Sequence, residues 1–151
     1  MKIIFEPVDK QKLLQQFQQI ASRYNTQVRQ HDVGEGHFIF VKSRIKISEK
    51  ERNNIYAVHV WGAEDEDLDF LKQFWGEPSQ VLKERLTPAD FAEGLDDIPL
   101  NENVTQQEVI ETMGITKGEY DQFVRFIQRM GRRPNAPDSM KKALEILKRV
   151  D

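Results

Sequence analysis

Three histidines, His31, His37 and His59, are the side chains best equipped for acid–base or metal chemistry in this 151-residue chain, which has no cysteine. His37 and His59 lie in segments rich in Ile, Val, Phe and Trp, and Asp32 and Glu35 stand close to the first two histidines. Neighbouring strands carrying them would make a His/carboxylate metal site or an acid–base pair, which makes His37 and His59 the weak catalytic candidates of a small hydrolase or nuclease. The spacing favours ordinary strand histidines. No His-x-x-x-His or His-Glu-x-x-His helix pattern occurs, and neither histidine has a hydroxyl residue two positions on. Without cysteine there is no thiolate nucleophile and no sulfur-ligated metal, so neither a metal nor a cofactor is expected.

A second constellation occupies 38–47. Strand alternation places Phe38, Phe40, Lys42, Arg44 and Lys46 on one face, with Ile39, Val41, Ser43, Ile45 and Ile47 on the other. Rings to stack bases and cations to hold phosphates are what single-stranded nucleic acid requires. Helices covering Phe38 and Phe40 are the competing expectation, because paired exposed phenylalanines are a liability. The stretch Phe38-Ile-Phe40-Val41 faintly resembles the aromatic signature of RNA-recognition-motif domains, with a different strand–helix order. The acidic run Glu64, Asp65, Glu66 and Asp67 lacks the alternating ligands and central Gly of a calcium loop. It suits a helix N-terminus, where the macrodipole favours negative charge, and it offers a surface for a basic protein partner.

The strongest local signal is Thr105-Gln-Gln-Glu108 followed by Met113-Gly-Ile115-Thr116-Lys-Gly-Glu119. Each Thr can cap a helix while the Glu three residues on reaches back, and Gly114 suits the left-handed residue between two helices. The segment 105–131 resembles a helix-turn-helix. Val109 and Ile110 take the inward positions of the first helix, Ile115 lies beneath the turn, and Tyr120 and Phe123 face back from the second. It departs from that family at Ile110, where a small residue is usual, and at Glu119 and Asp121, which repel phosphate. The resemblance implies DNA contact by a helix over 117–131: Lys117, Arg125, Arg129, Arg132 and Arg133 toward the backbone, Gln122 and Arg125 toward base edges. A structural helical hairpin with a solvated arginine face is the alternative.

These residues must be positioned by an α+β fold. A strand over 2–6 ends at Pro7. Leu13, Leu14, Phe17, Ile20, Ala21 and Tyr24 recur at helical spacing behind Asp9. Strands follow at 26–33, 37–47 and 55–61, with 48–54 a loop or helical turn. The result is a β-α-β-β-β antiparallel or mixed sheet unit (1–62), an acidic helical segment (63–98) and a helical C-terminal subdomain (99–151). Within these, 79–86 reads as a short helix and 96–104 as a linker. Residues 1–62 carry 10 Lys and Arg against 6 Asp and Glu, 63–104 carry 3 against 12, and 105–151 carry 9 against 7. Such segregation marks separate binding surfaces, or acidic and basic surfaces that neutralise each other. No apolar run approaches the roughly 20 residues that span a bilayer, so no membrane partner and a cytoplasmic location are expected. A non-enzymatic binding or regulatory protein is the reading these patterns favour, with an inhibitor or adaptor acting through 63–97 as its rival.

Overall fold

The computed structural model describes residues 1–30, 36–41, 44–82, 86–95 and 104–150. Its elements are β1 (Lys2–Phe5), α1 (Lys10–Arg23), β2 (Arg29–Gln30), β3 (His37–Val41), β4 (Ile45–Arg52), β5 (Ile55–Trp61), α2 (Asp65–Trp75), β6 (Gln80–Leu82), α3 (Pro88–Leu95), α4 (Gln106–Met113), α5 (Lys117–Gly131) and α6 (Asp138–Leu147). The fold is α+β, with an N-terminal sheet and helices in the C-terminal half. One 6-stranded antiparallel sheet runs in the order β2-β3-β4-β5-β1-β6.

Alternation along the strands gives the sheet two different faces. Ile3, Phe5, Ile39, Ile45, Ile47, Val58 and Val60 point to the first, where Leu13, Phe17 and Ile20 of α1 and Leu71 of α2 bury them. Trp75 of α2 completes this layer with ring contacts to Phe5 and Phe17. On the second face Trp61 joins a separate apolar cluster built by Phe91, Ala92 and Leu95 of α3 with residues of α4, α5 and α6.

Of the strand expected over 26–33, the described part is a strand only at Arg29–Gln30. Three further stretches differ from the sequence expectation, each for a tertiary reason. The single strand expected over 37–47 is two antiparallel strands, β3 and β4, which pair Phe40 with Lys46 and Phe38 with Ser48. The stretch 48–54 is the second half of β4 and a two-residue turn. Asn53 and Asn54 there hold φ of 55° and 65°, the left-handed pair that a tight hairpin needs. Its polar sequence reflects a hairpin reaching past its neighbours, since pairing with β5 satisfies the backbone whatever the side chains. The described part of 79–86 includes a strand, β6, because the edge of β1 offers unpaired backbone groups to Gln80–Leu82.

The caps of the C-terminal helices match their residues. Thr105 accepts the Glu108 N–H, and Thr116 with Glu119 forms a reciprocal capping box. Gly114 is left-handed at φ 67°. The N–H of Ile115 reaches the carbonyl of Ile110 at 3.2 Å and that of Gly114 the carbonyl of Glu111 at 3.3 Å, the paired bonds of a Schellman ending.

Gly62 joins the sheet to these helices at close range. Its φ is 74°, and a Cβ there would collide with the backbone carbonyls of Arg44 and Thr112. Gly118, by contrast, is a helical glycine where a Cβ would meet only the Thr116 hydroxyl, at an ordinary contact distance of 3.9 Å. Gly62→Ala is expected to lower the unfolding free energy by about 2 kcal/mol or more. Gly118→Ala is expected to leave it unchanged or raise it by up to about 1 kcal/mol. Urea denaturation of the two variants, compared with the parent, checks the contrast.

Candidate functional site

The apolar stripe of α5 orients the arginines. Tyr120, Phe123 and Ile127 are buried, with the Phe91 ring of α3 edge-to-face with Tyr120 at 5.8 Å and tilted against Phe123 at 5.1 Å. Gly131 brings the end of α5 against Met140 and Leu144 of α6. Among the described residues the main neighbours of α5 are α6 and α3 rather than α4. The local turn of the resemblance is therefore present, but its close helix pairing is not, in keeping with the bulk of Ile110 at the crossing. With one side of α5 held by the core, Gln122, Arg125 and Arg129 come out on the other, and Arg132 and Arg133 continue past its end; all five are exposed. Arg129 lies 5.9 Å from the Phe126 ring, and none of the four arginines forms an ion pair among the described residues.

The front of α5 is different. Lys117 donates to Gln106 at 2.9 Å and to Asp121 at 3.0 Å, and Glu119 is engaged in the capping box. The cation expected at the tip of the helix is thus tied to its own carboxylate neighbour.

The structure removes the proposed stacking face on the sheet. Phe38, Phe40 and Lys46 share a face as alternation requires, but they are 0%, 6% and 0% exposed. Arg44 lies in the turn between β3 and β4, where it pairs with Asp67 at 3.2 Å; Lys42 lies outside the described residues. The histidines are parted as well. Phe38, Ser48 and His59 are successive partners across β3, β4 and β5, so His37, one residue away, points to the opposite face. It meets Glu49 at 3.3 Å, while His59 meets Glu93 at 3.4 Å. A shared His37–His59 metal site or acid–base pair is excluded by that geometry; His31, Asp32 and Glu35 lie outside the described residues. Of the acidic run, Glu64, Asp65 and Glu66 are exposed, but Asp67 is 3% exposed and works inward.

A polar layer that sequence reasoning did not assemble lies under α3. Trp61 is flanked across the two adjoining strands by Lys2 and Lys46, whose ammonium groups stand 4.2 Å and 5.6 Å from its ring. Lys46 donates to the carbonyl of Gly94 at 2.7 Å, meeting the negative end of the α3 dipole. Lys2 and His59 approach the two oxygens of Glu93 at 3.5 Å and 3.4 Å. The signal available in the sequence was Lys46-x-Ser48 on an inward-facing alternation, a polar stripe where a buried strand would be apolar. No protein-family model, curated protein or solved structure matches the chain.

Asp67 anchors a further group. It accepts from the Tyr24 hydroxyl at 2.7 Å and from Arg44, and its other oxygen accepts the Glu64 N–H. Burial, and next the bond to Asp67, push the Tyr24 phenol above its ordinary value of 10.0. The folded state then binds that proton more tightly than the unfolded chain. Its stabilisation is complete below that ordinary value and is lost as pH rises from there toward the raised folded value. Urea unfolding is expected to show stability falling beyond about pH 10. Tyr24→Phe should make that decline shallower, leaving the part due to Tyr120, whose phenol burial also raises. Equal alkaline slopes in parent and variant would contradict this assignment.

Proposed function

We propose that this is a non-enzymatic binding or regulatory protein that holds the phosphate backbone of DNA on the arginine edge of α5. The observation that carries the reading is the exposure of Arg125, Arg129, Arg132 and Arg133 with no ion pair among the described residues. Guanidinium stays charged at any physiological pH and forks onto phosphate oxygens, so four exposed arginines along and just past the rear of α5 are a ready polyanion contact. The buried ring face of α5 fixes the side on which Arg125 and Arg129 emerge, because the helix cannot roll without exposing Tyr120, Phe123 and Ile127.

The chemistry also sets the direction of approach. Asp121 and Glu119 repel phosphate at the front of the helix, so contact is best made along its rear half and the turn after it. Gln122 and Arg125 are then the side chains nearest to base edges, and discrimination between sequences is weak. Most of the affinity comes from counterion release, which makes it fall with salt.

A fluorescence-anisotropy titration of a mixed-sequence DNA duplex at increasing KCl tests the reading. Binding is expected at low salt. Each single Arg→Ala variant neutralises one phosphate fewer, so the slope of log K against log salt should shrink by about 0.9 in each. The fourfold variant, which should keep the parent urea midpoint because all four side chains are exposed, is expected to lose binding. Absence of binding at low salt, or binding untouched in the fourfold variant, removes the proposal.

A further inference from the structure

Two strips of opposite charge lie on different sides of the molecule. On α2, Asp65, Glu66 and Asp69 are exposed and form no ion pair among the described residues. The cations around them are engaged: Arg44 with Asp67, Lys72 with Glu77, and Arg23 over the Phe70 ring at 5.1 Å. The Met1 amine donates to the carbonyl of Ala63, with Glu64 and Asp65 in its field. On α5, Arg125 and Arg129 are exposed and have no carboxylate partner among the described residues, and the same holds for Arg132 past its end. The acids of α5, Glu119 and Asp121, lie at its front. Beside its rear, α6 exposes Lys141 and Lys142 along with Asp138 and Glu145, the last held by Lys148.

α2 lies on the first face of the sheet, and α5 packs on α3 over the second. The two strips therefore cannot meet within one molecule. Their spacing nevertheless matches. Asp65 and Asp69 are one turn apart, as are Arg125 and Arg129, a repeat of about 6 Å along either helix axis. Antiparallel alignment sets Asp69 against Arg125 and Asp65 against Arg129, and brings Arg132 beside Glu64. The start of α2 then lies along the end of α5, so the helix dipoles attract as well. Each strip also has a half-buried ring on its flank, Phe70 on α2 and Phe126 on α5, which gives the contact apolar surface to remove from water.

We propose that the arginine edge of α5 docks on the acidic strip of α2 in a second copy of this chain. The two surfaces differ, so the contact is head-to-tail and each molecule keeps one strip for the next. Exposed ion pairs are individually weak and screened by salt, so the association is weak, rises with protein concentration and is lost at high salt. It covers the arginines in concentrated protein and leaves them accessible in dilute protein. Competition with DNA for that edge follows, and this consequence alone rests on the DNA-binding reading above.

Sedimentation velocity at about 20 mM and about 500 mM KCl, over about 10 µM to 1 mM protein, tests the contact. The average sedimentation coefficient is expected to climb with concentration at low salt only. Glu66→Lys with Asp69→Lys in one variant, and Arg125→Glu with Arg129→Glu in another, should each weaken association about 10-fold or more. An equimolar mixture of the two should restore it, because the reversed α2 of the first then faces the reversed α5 of the second. The neutral pair Glu66→Gln with Asp69→Asn should weaken it too, and serves if a reversed variant does not fold. A parent that stays monomeric at low salt, association untouched by these changes, or a mixture of folded variants without rescue overturns the proposal. Anisotropy at dilute protein separates the two readings: Glu66→Gln with Asp69→Asn should bind DNA as the parent does. A parent that associates without binding DNA overturns the DNA reading and leaves the contact between copies standing.

Discussion

The ammonium of Lys46 is the point on which the second face of the sheet is organised. It is wholly buried, and a buried charge without an acceptor is strongly unfavourable, so a strong acceptor must sit over β4. The carbonyl of Gly94 accepts from it at 2.7 Å, which ties the C-terminal part of α3 to β4. The position of Phe91 follows from the end of α3. Tyr120 and Phe123 pack on Phe91, so the same bond sets the roll of α5 and, with it, the side on which the arginines emerge. Trp61 adds a second contact, since the ammonium groups of Lys2 and Lys46 both stand over its ring.

The charge segregation along the chain is only partly resolved by folding. Acidic residues of the middle segment come to rest against the basic N-terminal sheet: Asp67 with Arg44, and Glu93 with Lys2. The C-terminal arginines receive no such quenching among the described residues. The protein is acidic in sum, at −3, yet presents a cationic edge on one helix, a distribution that net charge does not reveal. Steering of an anion depends on that local field, which is why an acidic chain is compatible with the proposed contact.

An open groove on the second face and the arginine edge arise from one architectural fact. A helix of 8 residues, α3, covers the middle of the second face; α5 and α6 pack on α3, while α4 meets the sheet at Gly62. Toward the end of the β4–β5 hairpin a groove remains, with Ile55 exposed at it and Ala57 buried beneath. On the first face α1 and α2 are longer, and their stripes seal the strands beneath them.

What the sequence determined by itself is local. Asp9, Thr105, Thr116 and Gly114 specify helix ends through hydrogen bonds within a few residues, and these form as their chemistry requires. The 3.6-residue stripes of α1, α2 and α5 identify their buried sides for the same reason. The tertiary structure decided everything that depended on a distant partner. Lys46 looks like an exposed cation until α3 covers it, and His37 and His59 look like a pair until β4 separates their faces. The polar half of β4 looks like a loop until β5 satisfies its backbone, and 80–82 looks helical until β1 offers an edge. Alternation says which residues share a face of one strand, but only pairing says what stands beside them and whether anything lies above.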